Sequence, residues 1–445
     1  MKARWIAAAL VVLCAAWVQF TTARETHVPV PGGPDARAYV SYAYNLRQFG
    51  VYSRERTWES AIPARPHPDA ISTPGYPLFL VPFLNDRPDL EFMARVVWVQ
   101  ALLGTLTALI AFMLGVRVGG TGLGLSTGLL TALTPHLATI STYVLTESLF
   151  AFLLGASLLA LVWAARTRRP AHWALLGAVF ALCCLVRPTL QALVPLGIGA
   201  AVLAPGRVSR LRSPAWLAVA VWVALMLPWL AYKHSIPPSP DQPDLLRATL
   251  YHGSFPDFSY GDQPPGHGMP YRHDPHADES MGSTSGLFHQ VGRRMAAEPL
   301  RYVRWYLIGK PTSFLAWDNT IGGEGDAYLY RVDASPWFNR PTFAAIHAAM
   351  RGLHAPLMLT GLLGALIGLA WPTWFRAPVD PIAIRLLAGV AMAAVVFHVI
   401  GAPYPRYGIP FWPLLYALGI SSMITAWTKV SAHRRASALT HPARS

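Results

Sequence analysis

Charge and cysteine are what this sequence has least of. Charged residues make up 13% of its 445 positions, against roughly 25% in an ordinary soluble domain, which excludes that class. The three cysteines, Cys14, Cys183 and Cys184, all lie inside apolar runs. They give neither a disulfide framework nor a metal-ligand spacing. A phosphate-cradling loop is missing too: Gly322-Gly323-Glu324-Gly325 reads as a turn, without the strand, helix and Lys such a loop needs. No basic block or nucleic-acid motif occurs, and no internal repeat of transporter type is visible.

What is present in excess is apolar length. Hydrophobic residues are 53% of the chain, and several uncharged runs reach the roughly 18 residues that cross a bilayer as a helix. The net charge of +14 is distributed as short clusters between those runs: Arg166, Arg168 and Arg169, then Arg207, Arg210 and Arg212, then Arg434, Arg435 and Arg444. Such clusters mark cytoplasmic loops. The basicity is therefore topological, and nucleic acid is not an expected partner.

The spans follow from this pattern. Trp5 to Ala23 follows a basic start and is expected to be a retained first helix rather than a cleaved leader. Next come Val96–Val116, a Gly-rich helix to Leu133, Ser148–Ala165, and a run from Ala171 to Ala204 broken at Arg187-Pro188 into two helices. Pro214–Tyr232, Ala355–Phe375, Leu386–Ala402 and Ile409–Trp427 complete an all-α polytopic membrane protein of about ten spans, both termini inside. Four parts are expected: an N-terminal membrane module 1–232 with its first outer loop 24–91, an outer region 233–354, C-terminal spans 355–428 and a basic tail 429–445. Tyr302 to Trp317, apolar but holding Arg304, Lys310 and Pro311, is expected to lie at the interface. Trp98, Trp216, Trp371 and Trp427 near span ends read as interfacial anchors. Of all Asp and Glu residues, only Asp380 falls on the inner side.

Four charged positions converge on the outer face: Asp35 after the first span, Glu147 opening the fourth, Arg187 capping the fifth, and Arg406 between the last two. Ionisable groups at membrane level are costly and tend to be functional, although Glu147 and Arg187 also suit an interhelical salt bridge and Asp35 a helix cap. The outer region adds His267, His273, Asp274, His276, Asp278, Glu279 and His289. These leave a divalent metal as an option, but meet no recognised ligand spacing.

The first loop carries Asp35, Tyr39, Ala43, Asn45-Leu46, Gly50 and Tyr52-Ser53, then Pro74-Gly75-Tyr76-Pro77-Leu78-Phe79. It resembles the GT-C glycosyltransferases, in the branch of the protein O-mannosyltransferases and aminoarabinose transferases. Thr146-Glu147-Ser148-Leu149, Arg187-Pro188 and Arg406-Tyr407 with Pro410 and Pro413 fall where that branch carries similar motifs. The resemblance implies a GT-C-like bundle and inverting transfer of a sugar from a polyprenyl-phosphate donor to a glycan, lipid or protein acceptor. The reaction would take place at the outer face of a bacterial inner membrane. It makes Asp35 the base and places Arg406, Tyr407, Arg187, Glu147 and Tyr76 at the substrates. Two departures stand out. Asp35 is followed by Ala36 rather than a second acid, and Ser72-Thr73 stands where relatives often carry a base, leaving Arg65 or His67 for that role. A ligase or polymerase using a diphosphate-linked donor, and a lipid-linked sugar translocator, are the alternatives.

Overall fold

Apolar runs free of backbone-breaking residues become long helices, because a helix pairs its own backbone groups where lipid offers no partners. The computed structural model describes residues 2–29, 33–60, 64–193, 212–237, 244–261, 269–321 and 323–440. His267, Gly322, Arg207, Arg210 and Arg444 lie outside these residues. Among the described residues, seven helices are long and apolar enough to cross a membrane: Lys2–Glu25 (α1), Leu90–Gly119 (α4), Glu147–Thr167 (α7), Ala215–Ser235 (in α9, Arg212–Ser235), Pro341–Ala370 (α14), Pro381–Ile400 (α15) and Pro405–Ala432. The last of these is mostly α16, Trp412–Thr440. Thr121–Leu133 (α5) and Pro135–Thr139 (α6) belong to an eighth apolar pair, bent by 56°. Pro135 has no N–H to continue the ladder, which places the break. Pro170–Val186 (α8) is a shorter apolar helix. The sixth expected span, after Arg187-Pro188, runs into residues 194–204, outside those described.

Among the described residues there are no β-strands, only isolated bridges such as His27 with Ala334. One large core joins α4, α7, α14, α15 and α16 and runs outward to Tyr76, Tyr143 and Trp317. Much of the apolar surface left exposed belongs to membrane helices, including Trp5, Leu10 and Leu13 of α1 and Leu227 and Leu230 of α9.

Two boundaries differ from the sequence reading. Helix α14 begins at Pro341, not near Ala355. Its outer turns carry His347 and Arg351, which reach loop carboxylates at Asp326 (2.8 Å) and Asp318 (3.5 Å). Charge there marks the outer turns of a longer helix rather than its end. The expected interfacial helix is a helical run of three pieces: Pro299–Arg304 (α12), a π-turn Trp305–Gly309, and Lys310–Phe314 (α13). The π-turn precedes Pro311, whose ring does not tolerate an ordinary α-helical ladder.

Candidate active site

The first loop opens with helix α2, Pro34–Phe49, N-capped by Gly33 without a side-chain hydrogen bond. Asp35 therefore lies in the first turn without serving as the cap. Its Oδ2 accepts a 2.7 Å hydrogen bond from Arg406 Nη2, across 371 residues. Arg406 belongs to a short helical turn, Pro405–Gly408. Gly408 brings that turn so near Phe314 that an added Cβ would lie 1.9 Å from the Phe314 carbonyl oxygen.

The strand of chain leading into this turn is gripped by α13. Lys310 is fully buried, and its ammonium donates to the carbonyls of Val399 (2.7 Å) and Gly401 (2.8 Å). Ser313 Oγ donates to Pro403 O at 2.9 Å. These carbonyls end α15 and have no helical partners of their own, so the cation also suits the negative end of the helix. Lys310→Met fits the space but orphans these acceptors. It is expected to lower stability by about 1–3 kcal/mol, read as a fall in thermal midpoint in detergent, with transfer falling in parallel.

Arg187 is the C-cap of α8, in extended backbone before Pro188. Its Nη1 donates to Glu147 Oε1 at 2.8 Å, and Glu147 is the first residue of α7. The Arg187 guanidinium lies 4.4 Å from the Tyr407 ring centre, and that of Arg406 lies 5.2 Å from the same ring. Tyr407 thus joins the two ion pairs. They differ in their surroundings. Glu147 and Arg187 are closed off, with side chains 3% and 14% exposed. Asp35, 43% exposed against 18% for Arg406, is open to the outside.

Helix α3, Gly75–Leu80, explains why Arg187 points this way. A Cβ on Gly75 would meet the Leu185 carbonyl carbon at 2.6 Å, and Thr73 Oγ1 donates to Val186 O at 3.2 Å. The Pro-Gly-Tyr-Pro stretch is thereby packed on the last turn of α8. Gly75→Ala should push α3 away from that backbone at a cost of about 1–3 kcal/mol, checked by thermal unfolding.

Tyr39, one turn after Asp35, lies in the field of Asp35, Glu147, Arg187 and Arg406 together. Burial and then Asp35 push its phenol well above the usual tyrosine range. The Asp35 carboxyl is held below the ordinary carboxylate range, mainly by the Arg406 charge, with burial opposing. Tyr330, from the loop before α14, brings a phenol into the field of Asp35 and Arg406. Burial and the Asp35 charge push it up to about 12, so it stays neutral. Tyr143 OH donates to the Tyr330 carbonyl at 3.1 Å.

The structure thus brings together Asp35, Glu147, Arg187, Arg406 and Tyr407. Tyr76 lies under the site rather than in it. Its ring meets Tyr39 edge-on, and its hydroxyl is taken by Gln100 Oε1 at 2.9 Å. Arg65 is exposed, and His67, 94% exposed, pairs with Glu55 at 3.0 Å; neither contacts the two ion pairs. Sequence reasoning missed Tyr330 and Lys310. Lys310 had a signal, a cation beside proline in an apolar stretch, whereas Tyr330 had none. Among the described residues, no three His, Cys, Asp or Glu side chains are grouped to hold a metal. Asp274 instead accepts from Tyr251 OH at 2.6 Å, and Glu279 pairs with His289 at 3.1 Å.

Residues 91–232 match the family described as dolichyl-phosphate-mannose-protein mannosyltransferase. That stretch carries Glu147 and Arg187 but neither Asp35 nor Arg406. No curated protein matches the chain by sequence. The fold is similar to that of the Archaeoglobus fulgidus oligosaccharyltransferase tethered with an acceptor peptide containing the NVT sequon, with a TM-score of 0.52 and 14% identity. The alignment covers 98% of this chain and 50% of that one, so this chain spans half the length of that relative. ArnT from Cupriavidus metallidurans bound to undecaprenyl phosphate aligns over 94% of this chain and 77% of its own, with a TM-score of 0.42 and 15% identity. The protein is an integral membrane protein with the GT-C fold.

Proposed function

We propose that this protein transfers a sugar from a polyprenyl-phosphate donor to an acceptor hydroxyl or amide at the extracytoplasmic face of a bacterial inner membrane, with inversion. The observation that carries the reading is the Asp35–Arg406 contact. It sets a solvent-accessible carboxylate beside a cation at the end of the membrane helices, with a second arginine on the far side of Tyr407. Asp35 takes the proton of the acceptor as its heteroatom attacks the anomeric carbon. The bond from that carbon to the phosphate oxygen breaks, and the electron pair leaves with the lipid phosphate. Arg406, whose planar guanidinium fits phosphate oxygens, balances the charge that develops there, with Arg187 behind it. The proton on Asp35 then passes to water.

Glu147 and Arg187 lie at helix ends, whereas a translocator would place its polar groups near the bilayer midplane at broken helices. This favours chemistry at a surface. The test is to incubate membranes containing the protein with a panel of polyprenyl-phosphate sugars and follow release of lipid phosphate. Release with one sugar, together with a glycosylated product, supports the reading. No release with any sugar or acceptor fraction removes it.

A further inference from the structure

The two ion pairs at Tyr407 are unequal in a way that bears on how the site works. The Glu147–Arg187 pair is enclosed on both sides, so it has no room to change partners. Asp35 faces the outside with 43% of its side chain exposed, and Arg406 has supports that do not involve Asp35. Its guanidinium also lies 5.2 Å from the Tyr407 ring centre. Its helical turn is seated on Phe314 at Gly408. Losing the carboxylate would therefore leave the guanidinium in place with donors free.

We propose, resting on the transferase reading above, that Asp35 and the donor phosphate compete for Arg406, so that the base is released only when the lipid phosphate is seated. In the resting protein the guanidinium holds the carboxylate. An arriving phosphate diester carries the same single charge as the carboxylate and a bidentate match to the same donors; anchored by its lipid, it displaces the carboxylate. Asp35 then loses its nearest cation and gains an anion as neighbour, and both changes raise its affinity for a proton. The groups facing Asp35 leave Arg406 as the decisive one. Arg187 is committed to Glu147, and Tyr39, Tyr330 and Tyr404 are neutral phenols. Donor binding thus precedes and enables proton abstraction. Without donor, Asp35 is a poor base for any hydroxyl that reaches it.

The exchange makes a prediction opposite to that for an ordinary binding residue. When the competent form of a site is only partly populated, ligand affinity falls by that fraction. Purified full-length Asp35→Asn protein in detergent is therefore expected to bind undecaprenyl phosphate about fivefold to tenfold tighter than the native protein. Asp318→Asn, which removes a similarly exposed carboxylate paired with Arg351 outside the site, should give no such gain. Equal or weaker binding by Asp35→Asn, or an equal gain in Asp318→Asn, overturns the exchange. A second measurement reads the carboxylate directly, by infrared titration of carbon-13 aspartate with Asp35 assigned from the Asn variant. Asp35 should titrate at a pH higher by about one with undecaprenyl phosphate bound. Saturating binding without that change overturns the exchange and leaves the transferase reading standing. Failure of the native protein to bind the lipid phosphate overturns both.

Discussion

Asp35→Asn should abolish sugar transfer, with a loss of at least about 10²-fold and up to about 10⁴-fold, the usual range for a positioned general base. Expression, membrane insertion and thermal midpoint should stay close to native. The Asp35–Arg406 pair is half open to solvent on the carboxylate side, and pairs of that kind contribute only about 0–1 kcal/mol. The amide keeps the shape and a hydrogen-bonding oxygen, so the variant separates chemistry from folding. Retained activity would remove Asp35 from the mechanism. The pH dependence follows the same group. Arg406 depresses the Asp35 carboxyl, so what the pair adds to stability is present above the ordinary aspartate value of about 3.9. That contribution disappears as pH falls through the lower, folded value. Activity requires the ionised form and should fall on the acid side. With saturating donor, the exchange proposed above places that fall at higher pH than in the free protein.

The largest effect on stability is expected at the other pair. Arg187→Ala strands the Glu147 carboxylate, 3% exposed, without its cation. Breaking a buried ion pair from one side typically costs about 3–5 kcal/mol. Replacing both residues with apolar ones of similar volume, Arg187→Met with Glu147→Leu, should cost much less than either single change, because no buried charge then remains. The measurement is thermal unfolding of the purified variants in one detergent, combined as a double-mutant cycle. If the single variants unfold at the native temperature, the pair is not the support for α7 and α8 described here. The double variant carries a separate message for function. Folded but lacking the second guanidinium beside Tyr407, it should transfer sugar poorly.

The broad plan of the molecule was legible because lipid imposes a one-dimensional code. Uncharged length marks spans and arginine clusters mark sides, so Asp35, Glu147, Arg187 and Arg406 could be placed at one level without knowing how the helices pack. Their pairing was not legible. Nothing in the local sequence says that Asp35 takes Arg406 and Glu147 takes Arg187, since that depends on Gly75 letting α3 close on α8 and on Gly408 seating its turn against Phe314. Charge misled at the start of α14, where His347 and Arg351 belong to the outer turns of a longer helix. Arg65 and His67, taken as stand-ins for a basic residue before Pro74, are exposed, and His67 pairs with Glu55. Tyr76, placed at the substrates by the resemblance, gives its hydroxyl to Gln100, and its motif packs the loop on α8. Tyr330 stayed hidden because a lone tyrosine in a polar loop has no periodicity to expose it.

The 371 residues between Asp35 and Arg406 also set a schedule for synthesis. The carboxylate leaves the ribosome first, and its guanidinium partner follows only after the helices between them. A nascent chain that has passed Arg187 but not reached Pro405 holds Asp35, Glu147 and Arg187 without Arg406. The Asp35–Arg406 contact therefore forms in one step, once the turn Pro405–Gly408 has been made.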